Sequence, residues 1–544
     1  MAHDVFALAT RHGMCHDNPM DSRPGAQNVM QPPNTPMSAA DGNFANLLWR
    51  AGERFAARVA MLERKQETSF ASVLERGVGV ARTLASRGIE PGDRVAVLLR
   101  RGPEAAASLF GALAVGAIIV PVNKLYQSRQ IEYVLRHSGS RVLITSADFL
   151  AALTRPLDTT VPILDVGDLA TAGTFDPVSR SADDHAQIIY TSGSTGQPKG
   201  VLSSHGNLWA GVRTVLSYLP ITESDRVASL LPFSFVYGFN QLTSVLATGA
   251  TLVVERSSLA AEVTTWLRDQ DVTVVAGVPP LWMQLLANRG FRERPLPALR
   301  ILTNAGGRLA PNAVVQLRTA QPQANLYLMY GLTEVFRSTY LPPDLVDAHP
   351  DSMGRAVPGA EVYVVREDGS RAASGEVGEL VHAGPTVALG YWQDTQATDR
   401  VFRVNSFAAG DRPSPQLGRA VFSGDLVRVD DDGLLYYVGR RDRMIKTLGY
   451  RVSPDEIEDV LFSSGQITES VVVGRPDPQR GDGILAYVVL RPGGSLDALR
   501  QYCATELPRY MWPTRFEVLD AIPRGPAGKF DYQELRRLAT GPAA

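Results

Sequence analysis

Short, almost wholly apolar runs alternate with stretches of helical spacing from about Asn43 onward. Arg94-Val-Ala-Val-Leu-Leu99, Ala117-Ile-Ile-Val-Pro-Val122, Arg141-Val-Leu-Ile-Thr145 and Thr251-Leu-Val-Val-Glu255 are runs of this kind. Arg226 to Leu231, Val272 to Ala276, Arg300-Ile-Leu-Thr303 and Asn325-Leu-Tyr-Leu-Met329 repeat the theme. A strand apolar on both faces needs cover on both faces, and helical crossovers between parallel strands supply it. Spacing predicts helices over Asn43 to Leu62 and Ser72 to Arg87. The fold class is therefore α/β, with a large N-terminal domain of helix-covered, mainly parallel sheets.

The texture changes after about Ser352. Ala360 to Arg366, Gly378 to His382 and Leu434 to Val438 read as short strands between Gly/Asp turns, a β-rich subdomain over about 352–438. A helix (Asp455 to Phe462), two strands (Ser470 to Val473, Leu485 to Leu490) and a helix from Ser495 then form a small, mobile α+β C-terminal domain. At 544 residues the chain exceeds one ordinary core. The expected division is a disordered tail over 1–40, a large domain over 41–441 and a C-terminal lid over 442–544. Pro, Asn, Asp and Met crowd the tail without periodicity, and Met37 could be an alternative start.

Composition narrows the partners. Lys+Arg number 54 against 56 Asp+Glu, which argues against a nucleic-acid binder. The longest apolar stretch, Leu109 to Val122, is too short to span a bilayer and meets Pro121, so no integral membrane segment is expected. Two cysteines, Cys15 and Cys503, give no disulfide framework and fit a reducing, cytoplasmic location. No Cys/His cluster has metal-ligand spacing.

The chemistry concentrates in a few strings. Tyr190-Thr-Ser-Gly-Ser-Thr-Gly-Gln-Pro-Lys-Gly-Val201 follows a buried strand. Its glycines let backbone N–H groups turn toward an anion, its hydroxyls add donors and Lys199 adds charge, so it reads as a triphosphate cradle. It is not a Walker A loop, because Gly200 rather than Ser or Thr follows Lys199. Tyr330-Gly-Leu-Thr-Glu334 offers an aromatic face for adenine, a hydroxyl for a phosphate and a carboxylate for Mg²⁺. Asn304-Ala-Gly-Gly-Arg308 is a strand-end glycine pair where backbone can approach a flat ligand. Ser423-Gly-Asp425 carries an acid able to accept both hydroxyls of a ribose. The basic run Gly439 to Arg451 suggests a hinge and a phosphate contact. Pro523-Arg-Gly-Pro-Ala-Gly-Lys529 is a mobile loop ending in an electrophilic lysine. Each string alone has a plain reading too: Tyr330 as a core residue, Glu334 as an exposed acid, Asp425 as a turn cap, Lys529 as a surface lysine.

Together and in this order, the strings resemble the AMP-forming acyl-adenylate superfamily, which includes acyl-CoA synthetases, peptide-synthetase adenylation domains and firefly luciferase. The resemblance runs from about Asn43 to Leu538. Leu231 to Leu242 and Tyr330 to Pro342 look most like the acyl-CoA ligases associated with exosortase loci. The resemblance implies that Thr191, Ser192, Gly193, Ser194, Thr195, Gly196 and Lys199 hold the β- and γ-phosphates. It places Tyr330, Gly306 and Gly307 against adenine, Thr333 on the α-phosphate and Glu334 on Mg²⁺. It gives the ribose to Asp425 and Arg440, a phosphate contact to Arg451, the hinge to Asp442 and the thiol channel to Gly449. Lys529 becomes the catalytic lysine of the first step. Phe235, Val236, Asn240, Ala305 and Gly306 border the acyl pocket.

The implied reaction activates a carboxylic acid with ATP, releases pyrophosphate and passes the acyl group to the thiol of CoA. The alternative is transfer to a carrier-protein phosphopantetheine or a nitrogen nucleophile. Arg475, Arg480 and Arg509 could serve either acceptor. A luciferase-like oxygenase has no specific feature in its favour, and retention of Lys199, Glu334, Asp425 and Lys529 speaks against a non-catalytic binding protein. The chain also departs from the pattern. Phe235 stands where many ligases have His, Arg443 where a second acid often follows the hinge, and Phe530 where a small aliphatic residue follows the lysine. Phe235-Val236 offers no carboxylate for an α-ammonium, which disfavours an α-amino acid.

Overall fold

The computed structural model describes residues 42–540 except 154, 171–172, 192–197, 258, 408–417, 442, 448–449, 478–480, 508 and 526–527. The expected disordered tail lies outside the described residues. Six parallel strands form the spine of the largest sheet. They lie in the order Asn325–Tyr330, Ile301–Asn304, Val274–Gly277, Arg226–Ser229, Thr251–Val254, Val59–Glu63. Val253, Val275, Leu302 and Leu326 share one core with Leu267, Trp282 and Leu317 of the covering helices.

Val59–Glu63 corrects the expectation of a helix through Leu62. The helix is only Asn46–Arg54, and Met61 to Glu63 pair in parallel with Leu252 to Val254. No local breaker ends the helix. Pairing with a strand far along the chain overrides local propensity.

At the opposite edge the sheet turns antiparallel. Thr339–Leu341 folds back on Asn325–Tyr330, and Ser352–Ala356, Leu435–Arg440, Arg419–Val429, Val377–Ala383 and Glu361–Val365 extend the same sheet. The antiparallel strands thus begin at Thr339, ahead of the change in composition at Ser352. They are hydrogen-bonded to the parallel spine, which puts Tyr330, Asp425 and Arg440 in one sheet.

A second sheet runs Gly390–Tyr391, Lys199–Ser204, His185–Thr191, Ile118–Pro121, Arg94–Val97, Val142–Thr145, Ile163–Asp165. His185–Thr191 and Lys199–Ser204 form an antiparallel hairpin in which Thr191 faces Lys199. Ser204 ends the return strand and caps the helix His205–Leu216: its Oγ accepts from the Asn207 N–H at 3.2 Å, and Asn207 Oδ1 accepts from the Ser204 N–H at 3.0 Å. The Asn207 amide also donates to the Pro385 and Val387 carbonyls at 2.9 Å each, so the cap ties this helix to the segment leading to Tyr391.

The third sheet, Tyr450–Val452, Ile445–Thr447, Gly481–Leu490 and Ile467–Asp477 with Arg515–Val518 beside it, has its own core with the helices Pro454–Ser463 and Leu496–Glu506. Cys503 lies in that core, and burial pushes its thiol up to about 11, the state of a packing residue rather than a nucleophile.

Candidate active site

The site assembles at the carboxyl ends of the parallel strands, where open α/β sheets bind ligands. Asn325–Tyr330 ends in Tyr330 and runs into the turn that holds Thr333 and Glu334. Ile301–Asn304 ends beside the bend at Gly306-Gly307. Gly306 has φ 79, in the left-handed region that favours glycine, and a Cβ there would press on Val278 at 3.3 Å. Both glycines are exposed, which leaves their backbone open to a flat ligand.

Asp425 and Arg440 are direct cross-strand partners. The Asp425 carboxylate is 3% exposed and its Oδ1 lies 3.1 Å from Arg440 Nη1. The Tyr330 hydroxyl donates to Oδ2. Oδ1 itself accepts no hydrogen bond and meets Arg440 only as an ion pair. This oxygen of a buried carboxylate thus keeps acceptor capacity for a hydroxyl donor beside its ion pair. Burial pushes Asp425 above the usual carboxylate range, against the pull of Arg440. Gly424 makes the arrangement fit: its φ is 73, and a Cβ would meet Arg440 Nη2 at 3.2 Å. Its N–H donates to Glu379 Oε1 at 2.8 Å, and Glu379 also takes Arg441.

Glu334 lies at the second focus. The Tyr391 hydroxyl donates to its Oε1 at 2.6 Å, and its carbonyl accepts from the Ala388 N–H at 2.9 Å. The Lys199 ammonium sits 5.2 Å from the centre of the Tyr391 ring. One tyrosine therefore joins the phosphate-loop lysine to the acid of the Tyr330 turn. A single carboxylate suits Mg²⁺, which takes one or two protein oxygens together with substrate phosphates. No group of three or more His, Cys, Asp or Glu residues forms a self-sufficient metal site among the described residues.

Lys529 reaches the same place from the C-terminal part of the chain. Protein mass around its ammonium lowers its pKa; Glu334 and Asp425 oppose that shift and Arg440 adds to it. Yet Lys529 keeps solvent-accessible surface, so it stands in a crowded but open position. The sequence predicted a mobile loop here. Backbone contacts join the two ends of this loop: Gly525 N–H donates to the Lys529 carbonyl at 2.8 Å, Arg524 pairs with Phe530, and Asp531 N–H donates to the Pro523 carbonyl at 2.9 Å. The glycines permit this tight return, with Gly528 at φ 75.

Two departures in the sequence acquire a reason. Arg443 meets Asp455 at 3.1 Å and Glu458 at 2.9 Å, with its guanidinium 4.1 Å from the Tyr532 ring centre. The Arg524 guanidinium lies 4.2 Å from the Phe530 ring centre, and Phe530 meets Tyr532 edge to face at 6.4 Å. These contacts join the helix Pro454–Ser463 to the segment that carries Lys529.

Comparison with known proteins gives the family. The AMP-binding enzyme model matches residues 48–392, and the AMP-binding enzyme C-terminal domain model matches 456–529. The chain belongs to the AMP-binding enzyme family. It is α/β, as AMP-forming ligases are, and it is of the AMP-forming ligase type. The long-chain-fatty-acid–CoA ligase of Salmonella typhimurium is 30% identical over 92% of this chain and 95% of its own. Tyrocidine synthase 3 of Brevibacillus parabrevis is 29% identical over 91% of this chain, which spans 8% of the synthase. The anthranilate CoA ligase AuaEII, solved with anthranoyl-AMP, superposes with a TM-score of 0.81 at 26% identity over 93% of this chain and 99% of its own.

The remaining expected residues of this AMP-binding enzyme fall out as follows. Thr191 and Lys199 flank the expected phosphate loop, whose residues Ser192, Gly193, Ser194, Thr195 and Gly196 lie outside the described residues. So do Asp442 and Gly449. Arg451 lies in a strand opposite Lys446. Phe235 and Val236 begin the helix Val236–Thr248, half-buried. Gly238 is required there, since a Cβ would meet the Pro232 carbonyl at 2.1 Å. Asn240 is buried on the same helix, and Ala305 is buried beyond Asn304.

Sequence reasoning missed four members of the site. Tyr391 needed the pairing of Gly390–Tyr391 with Lys199–Ser204 to come near Lys199. Tyr237 donates to the Thr303 carbonyl at 3.0 Å. Arg308, next to the glycine bend, pairs with Asp459 on the helix Pro454–Ser463. Arg337 is buried at 3% exposure over the Tyr237 ring. Only Arg337 left a signal in the sequence: a lone cation three residues after Glu334, between Phe336 and the strand that begins at Thr339.

Proposed function

We propose that this enzyme activates a carboxylic acid with ATP and transfers the acyl group to the thiol of CoA. The observation that carries the reading is the convergence of Lys529 on Glu334, Asp425 and Arg440. A C-terminal ammonium lies within electrostatic reach of the acid of the Tyr330 turn and of the cross-strand pair Asp425–Arg440. In the first step a carboxylate oxygen of the substrate attacks the α-phosphorus. The bond from that phosphorus to the bridging oxygen breaks and pyrophosphate leaves with the electron pair. Negative charge grows on the α-phosphate and on the departing oxygen. Lys529 and Thr333 face that charge, and Lys199 with the 191–196 loop holds the departing phosphates. Mg²⁺, when bound at Glu334, would offset phosphate charge. In the second step the CoA sulfur attacks the acyl carbonyl, the bond to the AMP oxygen breaks and the thiol proton goes to solvent.

The two steps need different closures around one site, which rotation of a small domain about Asp442 supplies, with Gly449 lining the thiol channel. The chain's coverage of CoA ligases along nearly their full length supports CoA as acceptor. Likeness to peptide-synthetase segments supports carrier-protein phosphopantetheine as the alternative. Two cysteines, and no described helix long and apolar enough to cross a membrane, fit a cytoplasmic site of action.

The test is a pyrophosphate-release screen over fatty, aryl and amino acids, repeated with CoA and with a phosphopantetheinylated carrier protein. CoA thioester formed at the rate of AMP release supports the reading. Pyrophosphate release with thioester only on the carrier transfers it to the alternative. Asp442→Pro should keep adenylation and block thiolation; unimpaired thioester formation by that variant would remove Asp442 from the hinge.

A further inference from the structure

Arg337 is a buried guanidinium without a carboxylate partner among the described residues. It is 3% exposed, its Nε has no hydrogen-bond partner, and no carboxylate among the described residues pairs with it. Its neighbours are phenols. Its guanidinium lies 4.9 Å from the Tyr237 ring centre, and the Tyr218 hydroxyl is in hydrogen-bonding reach. The charge acting on both tyrosines comes from Arg337 and not from an acid. An arginine stays charged in a protein, and a buried cation is costly unless an anion accompanies it.

The backbone is built to hold this side chain where it is. Phe336 adopts φ 63, a strained value for a bulky residue, and its ring fills the space over Gly211, where a Cβ would come within 2.7 Å. Gly331 lets the chain fold back, since a Cβ there would meet Arg337 Cα and the Phe336 carbonyl at 3.0 Å each. Arg337 thus comes three residues after Glu334 and lies over the first turn of the helix that carries Val236 and Asn240. Residues next to Arg337 in sequence, on the Val236–Thr248 helix and at the end of Ile301–Asn304 also carry buried polar atoms. Ser338 Oγ, Asn240 Nδ2 and Asn304 Oδ1 are buried without hydrogen-bond partners. A pocket wall for a plain hydrocarbon chain would not leave these groups unpaired, because each costs free energy when dry.

We propose that Arg337 is a specificity-determining residue that pairs with a second anionic group on the acid substrate, so that the enzyme selects a carboxylic acid carrying a further negative charge. This rests on the acid-activating reading above. The planar guanidinium over Tyr237 offers a fork suited to an oxyanion. The incoming anion ends the electrostatic deficit, which makes recognition strong for the charged acid and weak for its neutral analogue.

The probes are straight-chain α,ω-dicarboxylic acids and their monomethyl esters, which keep one reacting carboxyl and remove the second charge. Pyrophosphate release should favour a dicarboxylate of suitable length over its ester by ~10-fold or more in kcat/KM. Arg337→Met should erase that preference by lowering kcat/KM for the diacid while the ester is unchanged or improves. Thermal melting with each probe reads binding without turnover: the diacid should raise the midpoint of the wild-type protein and not of Arg337→Met. An ester as good as its diacid would overturn the proposal. So would an equal loss on both probes in Arg337→Met with unchanged nucleotide binding, since Arg337 would then serve the reacting carboxyl. A diacid shift in melting without any pyrophosphate release would uphold the anion site and defeat the adenylation reading instead.

Discussion

Arg337 and Arg443 invite comparison. Both guanidinium groups are shielded and lie over a tyrosine ring, at 4.9 Å from Tyr237 and 4.1 Å from Tyr532. Arg443 has two carboxylates, Asp455 and Glu458, and joins a helix of the third sheet to the segment carrying Lys529. Arg337 has none among the described residues. The first arrangement is complete without a ligand and serves cohesion. The second is incomplete and serves recognition. The type of residue is the same in both places, so the difference lies in what the fold brings opposite it. Asp425 falls between them: it holds Arg440 and Tyr330, yet keeps one oxygen without a hydrogen bond.

The comparison can be broken in several ways. The largest effect is expected at Lys529, which the Arg443 cluster helps to seat. Lys529→Ala should lower adenylation by about 10²–10³-fold, as loss of a preorganised charge-stabilising donor does, while thiolation from a synthetic acyl-adenylate is spared. Pyrophosphate and thioester assays separate the two half-reactions, and equal loss in both would contradict the assignment. The ammonium form is the active one, and burial lowers the pKa of Lys529. Adenylation should therefore fall as pH rises through a value below that of an ordinary lysine, a limb absent from Lys529→Ala.

Next comes stability. Arg443→Met strands two carboxylates and should cost about 3–5 kcal/mol by urea unfolding. Arg337→Met removes a cation that no carboxylate among the described residues pairs with, and should cost no more than about 1 kcal/mol, or stabilise. Equal losses would erase the distinction between the two arginines.

His205 gives the same logic in a neutral group. It is fully buried and its Nδ1 accepts from the Phe44 N–H at 2.9 Å, so burial holds its pKa down at about 4, from 6.5. The unfolded chain takes up the proton first. The contribution, about 3 kcal/mol, is therefore present above pH 6.5 and lost as pH falls toward 4. Melting temperature between these values should decline less steeply in His205→Gln.

The smallest effect is expected at Tyr391. Tyr391→Phe removes one hydrogen bond to Glu334 and keeps the ring under Lys199, so kcat/KM for pyrophosphate release should fall about fivefold, the worth of roughly 1 kcal/mol. A loss as large as that of Lys529→Ala would make Tyr391 part of the chemistry rather than a positioning residue.

Much of this molecule is legible one stretch at a time. Apolar runs such as Val274–Gly277 and Ile301–Asn304 declare buried parallel strands because both faces must be covered. The loop at 190–201 and the string Tyr330 to Glu334 declare a nucleotide site because glycines, hydroxyls and one acid at those spacings have few other uses. What failed to show was whatever depended on distant pairing. Val59–Glu63 looked helical until Thr251–Val254 was beside it. The antiparallel strands seemed to start at Ser352 because Thr339–Leu341 is too short to show a pattern. Tyr391 and Arg308 had no local mark at all.

The sequence by itself determined the fold class and the family, and it nominated residues for a nucleotide site, because those rest on patterns contained within single segments. Tertiary structure alone decided which charges are satisfied. Arg443 finds two carboxylates, Asp425 finds Arg440 and Tyr330, and Arg337 finds no acid among the described residues, and none of this can be read along the chain. The physical reason is that the free energy of a buried charge is set by the atoms the fold places around it. These come from strands and helices far apart in sequence.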